Sequence, residues 1–135
     1  MSTLLSIKNL NVDIFSDKSI LPVINNVNID LKEGEVLGIV GESGCGKSML
    51  ASAVMGLLSP PAKVTNGEIL FENEDLVKLS QKELQNIRGS KISMIFQEPM
   101  TSLNPLMKCG RQIEEVLFAH EKLGRDELRK KAIHA

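Results

Sequence analysis

Eight residues constrain this chain more than any others: Gly41-Glu42-Ser43-Gly44-Cys45-Gly46-Lys47-Ser48. They fit the pattern G-x-x-x-x-G-K-[ST] in full. The flanks fit as well. Val36-Leu37-Gly38-Ile39-Val40 before them is a continuous apolar run, which suits a strand buried on both faces of a parallel sheet. Met49 to Leu58 after them is rich in Ala, Met and Leu and reads as helix, with Ser59-Pro60-Pro61 as the stop. Glycines let such a loop curl until successive N–H groups point inward at phosphate oxygens. The helix that follows adds its partial positive charge at the same place. Lys47 would reach the β- and γ-phosphates, and the Ser48 hydroxyl would ligate a magnesium ion. The pattern implies a nucleoside triphosphate. It names neither the base nor the reaction.

The rest of the chain supplies a frame. Apolar positions alternate over residues 4–15 (Leu5, Ile7, Val12, Ile14) and again over 20–31 (Val23, Val27, Ile29, Leu31). This predicts two half-buried strands joined at Asp17-Lys18-Ser19 as an antiparallel hairpin. Glu33-Gly34-Glu35 is a turn, Gly67 to Phe71 a short strand, and Lys91 to Phe96 a further strand. Ser80-Gln81-Lys82-Glu83 fits a capping box, so a helix starts there, turns Leu84 and Ile87 inward and ends at Gly89. Gln97 to Pro105 is a loop. Residues 111–123 set Ile113, Val116, Leu117 and His120 on one helical face, and a last helix starts near Asp126.

Composition narrows the function. With 135 residues the chain is one ordinary domain or a piece of a larger one. Sixteen Lys+Arg against 17 Asp+Glu give no electrostatic case for nucleic acid as a partner. The only aromatics are four Phe, which argues against base-stacking platforms. Two distant cysteines, Cys45 and Cys109, build neither a disulfide framework nor a zinc site, and they suit a reducing cytosol. Lys8-Asn9 interrupts any signal-peptide core, and Ser48 to Ala62 is too short to span a bilayer.

Other conspicuous residues have plainer readings. Cys45 lies near a helix N-terminus, which can activate a thiol, but it also reads as a small side chain at a variable loop position. Arg129-Lys130-Lys131 reads as a solvated helix face, His120 as a helix-face residue and His134 as solvated. Glu74 and Asp75 follow a strand without the long apolar run that a magnesium-holding acid at a strand end requires. A GTPase would need a base-reading N-K-x-D, which is not found, and a small-molecule kinase would need a substrate site that no motif suggests. A module that binds nucleotide without turnover stays open.

The stretch from Gly34 to Ser48 resembles the Walker A region of ABC transporter ATP-binding subunits. Arg88-Gly89 and Ile92-Ser93-Met94-Ile95-Phe96-Gln97-Glu98-Pro99-Met100-Thr101-Ser102-Leu103-Asn104-Pro105 resemble the Q-loop region of the branch that serves oligopeptide, dipeptide and nickel importers. The resemblance runs along the whole chain and implies the N-terminal part of that ATPase. The fold would be α/β, a P-loop NTPase core with an antiparallel β subdomain, cut within the helical subdomain. Residues 1–35 would form the antiparallel β region, 36–97 a portion of the P-loop core, and 98–135 the Q-loop and the start of the helical subdomain. The cofactors implied are ATP and Mg2+. Gly41, Glu42, Ser43, Gly44, Cys45, Gly46, Lys47, Ser48 and Met49 would hold the nucleotide. Lys47 and Gln97 would be catalytic, with Ser48 and Gln97 at the metal. Gln97 also reads, without the family, as a strand-terminal polar residue facing water. Phe15 would stack on adenine, with core packing as its competing role. The implied partners are transmembrane permease subunits and a second ATP-binding subunit, at the cytoplasmic face of the membrane.

Within these 135 residues there is no LSGGQ-like signature, no apolar run ending in Asp-Glu and no switch histidine. In the family, hydrolysis needs all three, so the resemblance implies binding without turnover for this stretch alone. It also implies that the strands at 36–40 and 91–96 expose edges and faces, giving a marginal, aggregation-prone or partner-stabilised species.

Overall fold

The computed structural model describes residues 2–98, 103–121 and 123–134. The chain forms two units, Met1–Leu84 and Gln85–Ala135.

The first unit is built on the expected hairpin. Strand β1 (Thr3–Phe15) pairs antiparallel with β2 (Ile20–Lys32), and Ser16 and Ser19 close the turn through their hydroxyls. The sheet is larger than residues 1–35 alone supply. Strand β3 (Ala62–Phe71) pairs with the free side of β1, and β4 (Glu74–Asp75) with β3, in the order β2-β1-β3-β4. Glu72 and Asn73, both at positive φ, turn β3 into β4. Register shifts at Asn9 and Asn26, also at positive φ, bend the β1–β2 ladder. Asparagine tolerates this left-handed backbone, and the two amides are satisfied by other asparagine side chains: Asn28 Oδ1 accepts from the Asn9 N–H at 2.9 Å and Asn11 Oδ1 from the Asn26 N–H at 2.5 Å. Leu10, Val12 and Ile69 are the most fully buried side chains of this sheet, with Ile7, Ile24 and Phe71 close behind. Each contributes about 1.5–3 kcal/mol of burial free energy.

Helix α1 (Lys47–Val54) stops four residues before the expected end at Leu58. Gly56 takes a left-handed conformation, and the N–H groups of Gly56 and Leu57 return to the carbonyls of Ala53 and Ser52. That glycine cap, not Ser59-Pro60-Pro61, ends the helix. A single-turn 3-10 helix (Leu76–Lys78) leads into α2 (Gln81–Ile87). The capping box at α2 forms as read. Glu83 accepts from the Ser80 hydroxyl at 2.6 Å and the Ser80 amide at 2.8 Å, and these bonds hold its carboxyl below the ordinary range. Leu84 and Ile87 are buried.

In the second unit, Gly89 turns the chain at positive φ, followed by helices α3 (Cys109–His120) and α4 (Arg125–His134). Gln112 ties the approach to α3 by bonding Asn104 and Met107. No residue of α3 is buried, and Leu128 is the buried residue of α4.

Two expected strands are not formed. Residues 36–40 and 93–96 have no regular structure, and around the second there is only an isolated bridge between Arg88 and Ile92. The reason is physical. A strand buried on both faces needs a hydrogen-bonded neighbour and covering layers. No described residue pairs with either run, and Val36, Val40 and Ile95 are 96%, 96% and 94% exposed. The expected exposure is present; the strands themselves are not.

Candidate functional site

The loop from Gly41 to Ser48 is built as the pattern requires. Gly44 and Gly46 have φ of 83° and 95°, and Gly46 is the N-terminal cap of α1. The Leu50 amide bonds to the Gly46 carbonyl at 2.8 Å, opening the helix. The amides of Lys47, Ser48 and Met49 belong to the first turn and have no carbonyl four residues back inside the helix. No side chain caps this end and no acid sits in its first turn. Neither a cap nor a first-turn carboxylate therefore offsets its positive potential.

The helix is anchored at the right place. Leu50 and Ala53 are buried, and the loop leans on β2 at Gly46. A Cβ at Gly46 would stand 3.2 Å from the Val23 carbonyl oxygen and 3.6 Å from the Ile24 side chain. The sheet therefore sets the position of the phosphate loop through a contact that only glycine allows.

Lys47 is held over the loop rather than released to solvent. Its Nζ donates to the carbonyls of Gly41 at 2.8 Å and Glu42 at 2.6 Å, and lies 3.2 Å from the Cys45 Sγ. This folds a point charge back onto the loop, where a polyanion would compete with those carbonyls for it. Ser43, Cys45 and Ser48 are exposed, and Met49 is half-buried. The donor set is one of amides and an ammonium, which suits a polyanion. No group of three or more His, Cys, Asp or Glu able to hold a metal occurs among the described residues. A metal here would depend on the Ser48 hydroxyl together with the oxygens of its own anion.

Phe15 ends β1, half-buried and outside the main core. Its cross-strand partner is Ile20, while Val12, three residues earlier, pairs with Ile24, which lies under Gly46. Phe15 is thus about 10 Å along the strand from the point where the phosphate loop rests. The Lys63 ammonium sits 4.3 Å from its ring centroid. The sequence reading missed Lys63. Its signal was cross-strand register, which a single sequence does not print.

Gln97 falls in the second unit, exposed, in a bend after residues 93–96. It does not end a buried strand. Pro99, Met100, Thr101 and Ser102 of the same run lie outside the described residues. His120 and His134 are exposed helix residues. Asp75 serves structure: it accepts from the Val77 and Ile69 amides and pairs with Lys78 at 2.9 Å.

The site and fold define a class, and comparison with known proteins agrees. The chain belongs to the ABC transporter family, whose model matches residues 24–135. It is 51% identical over 134 residues to the oligopeptide transport ATP-binding protein OppD of Bacillus subtilis, covering 98% of this chain and 37% of that one. Dipeptide transport ATP-binding protein DppD of the same organism is 48% identical over 134 residues, covering 98% of this chain and 40% of that one. The chain therefore spans about two fifths of the length of these relatives. Among solved structures, the dimeric post-hydrolysis state of the ATP-binding cassette MJ0796 bound to ADP and Pi superposes with a TM-score of 0.83. It is 31% identical, covering 96% of this chain and 54% of that one. The fold class is that of an ABC ATPase cassette, α/β with an antiparallel β subdomain. A family of this kind binds ATP.

Proposed function

We propose that this chain is the nucleotide-binding portion of the ATP-binding subunit of a peptide importer. The observation that carries the reading is the loop itself: first-turn amides without intrahelical partners, no acid in that turn, and Lys47 folded back onto the Gly41 and Glu42 carbonyls. The names of the relatives, oligopeptide and dipeptide transport ATP-binding proteins, support the peptide assignment.

In this reading the amides from Gly44 to Ser48 take the β- and γ-phosphates and Lys47 neutralises their charge. Gly41, Glu42, Ser43, Cys45 and Met49 shape the loop or its first turn. Ser48 supplies a hydroxyl to Mg2+, which would draw off charge from the phosphate oxygens; for Gln97 a role at the metal rests on the family alone. Phe15 stacks on adenine. The distance along β1 from the loop contact to Phe15 supports this last role, because a base must lie well beyond its triphosphate. The partners proposed are permease subunits and a second ATP-binding subunit, at the cytoplasmic face of the membrane. No described helix is long and apolar enough to cross a membrane.

The test pairs binding with turnover. Lys47→Ala should weaken MgATP affinity about tenfold or more, the scale of a lost charge-assisted bond. Residues 1–135 should bind nucleotide yet show no steady-state hydrolysis. Equal affinity in wild type and variant contradicts the site.

A further inference from the structure

We propose that Lys63 is a positioning residue for the nucleotide base, acting through the Phe15 ring; the proposal rests on the reading that Phe15 stacks on adenine.

The argument begins with register. On β1 and β3, Asp13 stands directly opposite Lys63, and Phe15 is two residues beyond Asp13 on the same face. A Lys opposite an Asp should form the ion pair, since opposite charges on facing strands attract. It does not do so here. The Asp13 carboxylate instead accepts from the Thr65 hydroxyl at 2.7 Å, and the Lys63 ammonium crosses the diagonal to the Phe15 ring at 4.3 Å. Both contacts are shifted by two residues in the same sense. The available carboxylate is taken by a hydroxyl, and the cation is left to the ring.

That arrangement has two consequences for a base. First, an ammonium on one face of the ring leaves only the other face for stacking, so the platform is one-sided and its orientation is fixed. Second, stacking of two π-systems is opposed by the negative charge on both faces. A cation drawn to one face pulls π density towards itself and lessens that repulsion on the other. Phe has no hydroxyl with which to orient itself: its backbone is fixed by Ile20 on one side and by the Pro61 carbonyl on the other, but its ring is not. The lysine head over the ring supplies that restraint.

The same logic separates Lys63 from Lys47. Lys47 acts on phosphate; Lys63 should act only where a base is present. Affinities for MgATP and for inorganic tripolyphosphate, measured on the full chain, distinguish them. Lys63→Met keeps the stem and removes the charge. It should weaken MgATP about two- to fivefold, the scale of an exposed cation–π contact, and leave tripolyphosphate unchanged. Lys63→Arg should restore MgATP binding. In a Phe15→Ala background, Lys63→Met should have no further effect. An unchanged tripolyphosphate affinity also shows that the variant keeps the folded loop.

Each contrary result is informative. If Phe15→Ala weakens MgATP but Lys63→Met does not, Lys63 has no such role and the base-stacking reading survives. If Lys63→Met tightens MgATP, the lysine competes for the ring and the proposal is wrong. Equal loss for MgATP and tripolyphosphate would make Lys63 a phosphate contact, also overturning it. If Phe15→Ala leaves MgATP unchanged, the stacking reading falls and this proposal with it.

Discussion

Gly67 shows how strictly single residues are specified here. It has φ of 90°, and a Cβ there would lie 2.5 Å from the carbonyl oxygens of both Lys8 and Asn9. Left-handed backbone costs a substituted residue about 1–2 kcal/mol, and the clash with β1 adds to that. Gly67→Ala should therefore destabilise the sheet by more than the backbone term alone, read as a lower denaturant midpoint. An unchanged midpoint would mean that β3 does not approach β1 as closely as described. Gly46 meets a similar constraint from the Val23 carbonyl, but there the result is functional, because the residue also opens the phosphate loop. At this scale the sequence was most informative. The spacing of Gly41, Gly44, Gly46, Lys47 and Ser48 is a local code, and its geometry follows from dihedral preference and helix polarity alone. Lys63 was not legible, because its partner Phe15 is distant in sequence and the register that joins them is tertiary.

Elements were legible where their signals are local. Alternation located β1 and β2, and Ser80 with Glu83 located the start of α2. The end of α1 was misplaced because Gly56 was passed over in favour of Pro60 and Pro61. The runs at 36–40 and 91–96 were misread for a different reason. An apolar run states what a segment would bury; it does not state that a neighbour is present to bury it. Among the short elements, the 3-10 turn depends on Asp75, which caps it. Burial alone would raise the Asp75 carboxyl, but Lys78 and the amides of Ile69 and Val77 outweigh burial and hold it below its ordinary 3.8. A carboxyl lowered on folding stabilises fully above its unfolded value and ceases to do so as pH falls through the folded one. Melting temperature should thus fall more steeply below about pH 4 in wild type than in Asp75→Asn. Identical acid profiles for the two would remove this role.

At the scale of the molecule, the buried core belongs mostly to the first unit, where the sheet and α1 gather it. In that unit Val36 and Val40 remain open to water, beside half-exposed Leu37 and Ile39. In the other, Ile95 and Phe96 are similarly open. Apolar surface of this kind binds hydrophobic dyes and promotes self-association. Val36→Asp with Val40→Asp should lower dye fluorescence and raise the concentration at which the chain stays monomeric. Dye binding equal in wild type and double variant would show that the run is covered in solution. The phosphate loop begins at the residue after this run, and the Lys47 ammonium ties its first two residues through the Gly41 and Glu42 carbonyls. Loss of Lys47 should therefore loosen the loop as well as remove charge.

In the proposed function, main-chain amides grip a polyanion. The direct test is the amide proton spectrum of the loop as inorganic tripolyphosphate, which carries no base, is added. Large downfield shifts are expected at Gly44, Gly46, Lys47 and Ser48, saturating together, and much smaller ones in Lys47→Ala. Amides that stay where they were at saturating ligand would contradict it.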